Sequence, residues 1–308
     1  MADQITVSLA LKLRYQLVLP LLSRLPRRSA YRLATLYSRL SENTIHPGER
    51  SAILQQMQRI FPDHPHEQIQ HYIRYHFGMV EREYLDTWVF PRLRTIEEID
   101  RFVTLKGFEP LKQAREEGRR VMLTGGHFGH FWMAGIGMNA HGVAVGTLTR
   151  DGGEENHHGL PTEEFNFRLK KLKWLQQALG GPFLVSGNNL RPIYRALDHY
   201  VMALLIDVPY EYAHPGLVEV PFLGKSGWFA DGIARVAQRT EALIFPYFVT
   251  EERQGLTATF EPPLEAAAMK PETIMEQLVR RLEEKILQQP AQWWLWPALP
   301  LIHREITS

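Results

Sequence analysis

The 308-residue sequence contains no cysteine, which removes disulfides, thiolate zinc sites and a cysteine nucleophile from consideration. It also lacks a surplus of charge: 35 Lys and Arg stand against 34 Asp and Glu, for a formal net charge of +1. The molecule as a whole therefore has no strong electrostatic preference for nucleic acid, and charge-driven partners must be sought in local asymmetry. Long hydrophobic runs are missing as well. The first apolar stretches are broken by Lys12, Arg14 and Arg24, short of the ~20 uncharged residues that a spanning helix needs. The basic residues follow the apolar run rather than precede it, and no small-residue cleavage site is evident, which argues against a secretory signal. Internal repeats, low-complexity tracts and linkers are absent too. What remains is an ordinary globular composition, 44% apolar and 22% charged, with 22 Gly and 20 Pro spread along the chain.

The amino terminus is locally asymmetric. Lys12, Arg14, Arg24, Arg27, Arg28, Arg32 and Arg39 face a single acid, Asp3, among Leu, Val and Tyr. That mixture suits a helix lying in the headgroup layer of an anionic membrane, or a basic amphipathic helix packed on the domain. Peripheral or monotopic membrane association is the expectation.

Residues 1–90 read as helices and form a membrane-facing appendage; residues 91–308 read as an α/β domain. In the first part, SAILQQMQRIF places Ile53, Met57, Ile60 and Phe61 near one face, and a long helix restarts after Pro65. Beyond residue 100 short apolar runs alternate with helical ones: RRVMLTGG, GVAVGTLTR, GPFLVSG, YVMALLID, LVEVPFL, ALIFPYFVT and LTATFEPPL read as strands with helices between most of them. That order implies a mostly parallel central sheet flanked by helices, since parallel strands need crossovers. Runs such as VMALLI imply burial on both faces.

The strand VMLT ends in Gly125-Gly126-His127-Phe128-Gly129-His130. Ligands of open α/β sheets bind beyond the carboxyl ends of strands, so a histidine there is placed for chemistry. The glycines permit a sharp turn and leave amides near a helix start that can hold an oxyanion. His127 can deprotonate a hydroxyl attacking a thioester carbonyl, or serve as a structural residue of the turn.

GGHFGHFW resembles the GxHFGNWE segment of the bacterial lipid A and lysophospholipid acyltransferases. The likeness extends to SAILQQMQRIFPDHPHEQIQ, to the block from ALLIDVPY to ALIFPYFV, and to PAQWWLWPAL, covering roughly residues 50 to 300. The resemblance implies a glycerolipid-acyltransferase-like fold and a His-x4-Asp/Glu pair in which the acid orients a histidine base. One departure is plain: five positions after His127 stands Trp132, not an acid. Asp207, at the end of strand VMALLI, is the favoured substitute partner, with a turn-capping role as its alternative. Two other His-x4-acid pairs exist. His76 and Glu81 lie in a helical pattern about 140° apart around the axis, and His158 and Glu163 lie in a polar loop. A further alternative is a catalytically silent, membrane-associated homologue that binds a lipid or a partner.

The resemblance implies transfer of a fatty acyl group from acyl carrier protein or coenzyme A to a hydroxyl or amine of a lipid or glycolipid, at the cytoplasmic face of the bacterial inner membrane. The acyl thioester is a co-substrate, and neither metal nor other cofactor is implied. Arg150 is the first candidate for substrate phosphate and Lys225 a weaker one. Arg168, Lys170, Lys171 and Lys173 form a basic run expected to be a solvated face, with contact to the ligand as the alternative. Trp293, Trp294 and Trp296 suit either core or an interfacial belt.

Overall fold

In the computed structural model of the chain, residues 2–45, 47–149, 156, 159–185, 189–210, 216–253 and 255–304 are described. Helices come first: α1 (Ala2–Leu13), a π-helical turn (Arg14–Val18), α2 (Leu19–Leu22), α3 (Arg27–Ile45), α4 (Pro47–Ile60) and α5 (His66–Val89). Next come α6 (Ile96–Asp100), β1 (Val103–Lys106), α7 (Glu109–Glu116), β2 (Val121–Gly125), α8 (Trp132–Ala140), β3 (Val145–Thr149) and α9 (Thr162–Leu179). They are followed by β4 (Gly180–Val185), α10 (Arg191–His199), β5 (Val201–Leu205), β6 (Leu217–Phe222), β7 (Lys225–Ala230) and α11 (Gly232–Thr240). The chain closes with β8 (Leu243–Glu252), β9 (Gly255–Phe260), β10 (Leu264–Glu265), α12 (Pro271–Gln288) and α13 (Leu299–Ile302). Proline opens α4 and α12, where its missing N–H costs nothing. Gly180 ends α9 in the left-handed conformation, at φ +74°.

The main sheet runs β1-β9-β8-β2-β5-β3-β4, with β10 beside β8. Its pairings are parallel except those of β9 and β10 with β8. β2 is buried along its whole length between β8 and β5. One face packs on α4, α5, α10, α11, α12 and the carboxyl-terminal tryptophans; the other packs on α7, α8 and α9. A smaller cluster of Leu11, Tyr15, Leu19, Ala30 and Ala34 meets Leu85 and Phe167, joining the first helices to α5 and α9.

Two expectations about strands need correction. LVEVPF is not part of the main sheet: β6 pairs antiparallel with β7, which the sequence reading did not foresee, in a separate hairpin. The cause is visible in the strand. Val220 and Phe222 are buried while Glu219 and Pro221 are exposed, the alternation of a strand with one wet face. The turn between them, Leu223-Gly224, has φ of 48° and 77°, and two positive values in succession suit a tight hairpin. Second, β5 is fully buried only at Val201 and Met202; its other three residues are partly exposed as it nears the sheet edge that carries the site.

Candidate active site

The parallel register of β2 and β5 creates the site. Met122 is paired with Met202 and Gly125 with Leu205, a constant offset of 80 residues. His127 and Asp207 each lie two residues past that last pair, just beyond the strand ends, so the same register sets them face to face. The contact is double. His127 Nδ1 lies 2.7 Å from Asp207 Oδ1, and the His127 backbone N–H donates to Asp207 Oδ2 at 2.7 Å. Trp293 completes the grip, its indole N–H donating to the same Oδ2 at 2.9 Å. The carboxylate is 0% exposed and the imidazole side chain 27% exposed. Asp207 is thus a sealed anchor, while the histidine keeps an edge toward solvent. A carboxylate on Nδ1 fixes the proton there and leaves Nε2 as the basic nitrogen. The negative charge is felt nearby: burial first, and then Asp207, raises the Tyr247 phenol well above its ordinary value.

The glycines act through space rather than flexibility alone. A Cβ on Gly126 would stand 2.7 Å from Asp207 Oδ2, so any side chain there would push the acid away from His127. At Gly129 a Cβ would collide with the Val249 carbonyl, and its φ of +55° is left-handed. Gly125 likewise lies against the Tyr247 carbonyl. As a source of oxyanion amides, however, Gly129 needs correction: its N–H donates to the Gln292 carbonyl at 2.8 Å. The neighbouring amides of His127 and Phe128 are also engaged, by Asp207 and by the Gly126 carbonyl. Gly129 shapes the turn.

The carboxyl-terminal segment straps this turn down. The His127 carbonyl accepts from the Trp294 N–H at 2.9 Å, and the Gly129 carbonyl accepts from the Trp294 indole, also at 2.9 Å. Trp293 and Trp296 are fully buried, so these two tryptophans are core rather than an interfacial belt. The contact between Trp293 and Asp207 carries no sequence signal; nothing in WWLWP says that one indole ends on that carboxylate.

Trp132, which stands where the family motif has an acid, begins α8 and packs on the rings of Phe131 and Phe183. With Leu123, Leu205 and Tyr247 it lines a narrow apolar slot of about 20 Å³. A carboxylate there would meet hydrocarbon and an aromatic wall. Asp207 instead approaches His127 from the adjoining strand.

The other sequence candidates are dispersed. His76 is buried in α5, with Nδ1 3.1 Å from the Ala291 carbonyl, and Glu81 pairs with Arg14 instead. Burial pushes the His76 ring down to about 4. Lys225 is exposed at the β6–β7 turn, across the hairpin from Phe222. Arg150 and His158 lie outside the described residues. The basic run on α9 is not simply a solvated face. Lys171 pairs with buried Glu83, and Lys170 lies 4.0 Å from the Trp88 ring centroid, where burial lowers its pKa.

A histidine clasped by a sealed carboxylate, on a glycine turn at the carboxyl edge of parallel strands, is equipped for base-assisted group transfer. Over residues 8–299 the sequence matches the family described as bacterial lipid A biosynthesis acyltransferase, and the chain belongs to that family. It is accordingly an acyltransferase acting on lipids. Among solved structures it is similar to the 1-acyl-sn-glycerophosphate acyltransferase PlsC from Thermotoga maritima, at 15% identity and a TM-score of 0.38, over 87% of this chain and 100% of that one. A comparison with curated proteins finds no match.

Proposed function

We propose that the protein transfers a fatty acyl group from an acyl thioester, carried by acyl carrier protein or coenzyme A, to a hydroxyl or amine of a lipid or glycolipid. His127 Nε2 takes the proton of the attacking hydroxyl as its oxygen bonds to the thioester carbonyl carbon. The C–S bond then breaks, and the departing thiolate recovers the proton. Asp207 orients the ring and stabilises its cationic form, and Trp293 holds Asp207. The observation that carries this reading is the doubly bonded His127–Asp207 pair, with its acid sealed and its imidazole partly open. The scheme asks for no metal and no covalent enzyme intermediate.

The proposed reaction runs at a membrane surface, and the likeness to the family supports the cytoplasmic face of a bacterial inner membrane. Support comes from a run of exposed leucines on the first helices and the bend between them: Leu9, Leu13, Leu17, Leu21 and Leu25 at intervals of four, then Leu33, Leu36 and Leu40. Exposed Lys12, Arg24, Arg28, Arg32 and Arg39 accompany them. Burying one such leucine is worth about 1.5–3 kcal/mol, and basic flanks add attraction to anionic headgroups. Arg14 and Arg27 do not join that face: Arg14 turns inward to Glu81, and Arg27 binds the Phe102 carbonyl and stacks on its ring. Among the described residues no helix is long and apolar enough to cross a membrane.

Purified protein incubated with labelled acyl thioesters and extracted lipids in anionic vesicles is expected to acylate a lipid, and His127→Ala to lower that transfer by about 10³-fold or more. Absence of transfer by the wild type with either carrier sinks the reading. Cosedimentation with phosphatidylglycerol vesicles is expected to be lost when Leu13, Leu17 and Leu21 are all changed to Ser. Retained binding refutes the membrane face.

A further inference from the structure

Three residues beyond His127, the same turn carries a second histidine with a carboxylate partner. His130 is 0% exposed, and its Nδ1 lies 2.7 Å from Oδ2 of Asp86 on α5. Asp86 is buried as well and accepts from the Tyr31 hydroxyl, which lies 2.8 Å from both of its oxygens. Tyr31 belongs to α3, the helix that also bears exposed Leu33, Leu36 and Leu40. On the other side of the ring, His130 Nε2 has no hydrogen-bond partner and stands 3.9 Å from Glu251 Oε2. Glu251 is itself held by Arg82 through two contacts of 2.6 Å.

Such a cluster is costly. Buried polar groups contribute only when their partners and geometry are complete, and a hydrophobic replacement of similar volume is often as stable. What it supplies is a defined position for the backbone that carries it. That backbone matters here: the next residue, Phe131, sets its ring edge-on to His127 at 5.2 Å. The His130 carbonyl accepts from the Met133 N–H at 2.8 Å, where α8 begins. With no exposed surface, His130 cannot meet a substrate, so it does not act as a second base.

We propose that His130 is a positioning residue: through Asp86 and Tyr31 it registers the turn that aims His127 against the leucine-bearing amino-terminal helices. The inference rests on His127 being the base, and it assigns the Tyr31–Asp86–His130 chain to the alignment of that base. Catalytic geometry and the membrane-facing helices are then one mechanical unit.

The test uses the full-length protein labelled with ¹⁵N-histidine, as wild type, His130→Asn and the milder Tyr31→Phe. Transfer kinetics and the pH titration of the His127 imidazole signal are measured on each. A displaced base should lower kcat about tenfold in His130→Asn and about threefold in Tyr31→Phe, with KM nearly unchanged. The His127 titration should move by about half a pH unit. A fall in thermal midpoint with kcat per folded molecule and the His127 titration both as in wild type overturns the proposal. Tyr31→Phe carries the test if His130→Asn does not fold. If the wild type itself shows no transfer, the functional reading fails separately. The His127 titration then decides this one: a shift in the variants supports it, and coincidence with wild type overturns it.

Discussion

The turn after β2 carries two histidine–aspartate pairs with the same 2.7 Å contact through Nδ1, yet they differ in almost everything else. His127 takes its acid from the adjoining strand of the sheet, and its ring is 27% exposed; His130 takes its acid from α5 and is sealed. Around Asp207 the other donors come from within the α/β core, the His127 amide and the Trp293 indole. Around Asp86 the other donor comes from α3, an amino-terminal helix. The pairing chemistry alone therefore does not identify a base. Exposure separates the two: the His127 ring is partly open to solvent, while the His130 ring is sealed.

The comparison can be broken most severely at His127. Replacing it by Ala should reduce transfer by about 10³-fold or more, since removal of a general base and its orientation compounds. If His130→Asn is the more damaging of the two at equal folded fraction, the assignment of roles is reversed. Asp207→Asn keeps the shape of the partner but not its charge, and should lower kcat by about 10²–10³-fold in steady-state assays. Trp293→Phe, which removes one donor to the same carboxylate, should cost only about tenfold. Adding Trp132→Glu to Asp207→Asn should not restore activity, because the new acid would enter an apolar slot. Recovery toward wild-type kcat would show instead that position 132 retains the orienting role.

A third histidine, with no carboxylate at all, sharpens the contrast through stability. His76 is buried against a carbonyl, and burial holds its ring near 4, below the ordinary 6.5. Between those values the unfolded chain binds more protons than the folded one, so stability is full above about pH 6.5 and is lost as pH falls toward 4. The whole step is worth about 3 kcal/mol. Unfolding free energies from urea titrations at about pH 7 and pH 5 should differ in the wild type by a large part of that amount. His76→Phe should remove that share of the slope. An unchanged slope in the variant would mean that other groups carry it.

Much of the architecture was legible beforehand because its signals are local. Alternating apolar and helical stretches, prolines at helix starts and a glycine turn after a continuous apolar strand all act over a few residues. The β6–β7 hairpin escaped because KSGWFA lacks a clear apolar alternation, and its pairing depends on a turn with two positive φ values. Arg14 looked like a membrane-facing base by composition. Its inward turn to Glu81 depends on where α5 packs, a contact between residues far apart in sequence.

The sequence by itself determined the family, the position of His127 after a core strand, and the loss of an acid at Trp132. It also offered Asp207 as a strand-end carboxylate. Only the tertiary structure decided that the two meet, because strands buried on both faces carry no alternation that would set their register. Once β2 and β5 pair with an offset of 80 residues, His127 and Asp207 follow. The indole of Trp293 comes from farther along the chain, and the cage around His130 from α3, α5 and β8 on either side of it in sequence; packing alone brings them there.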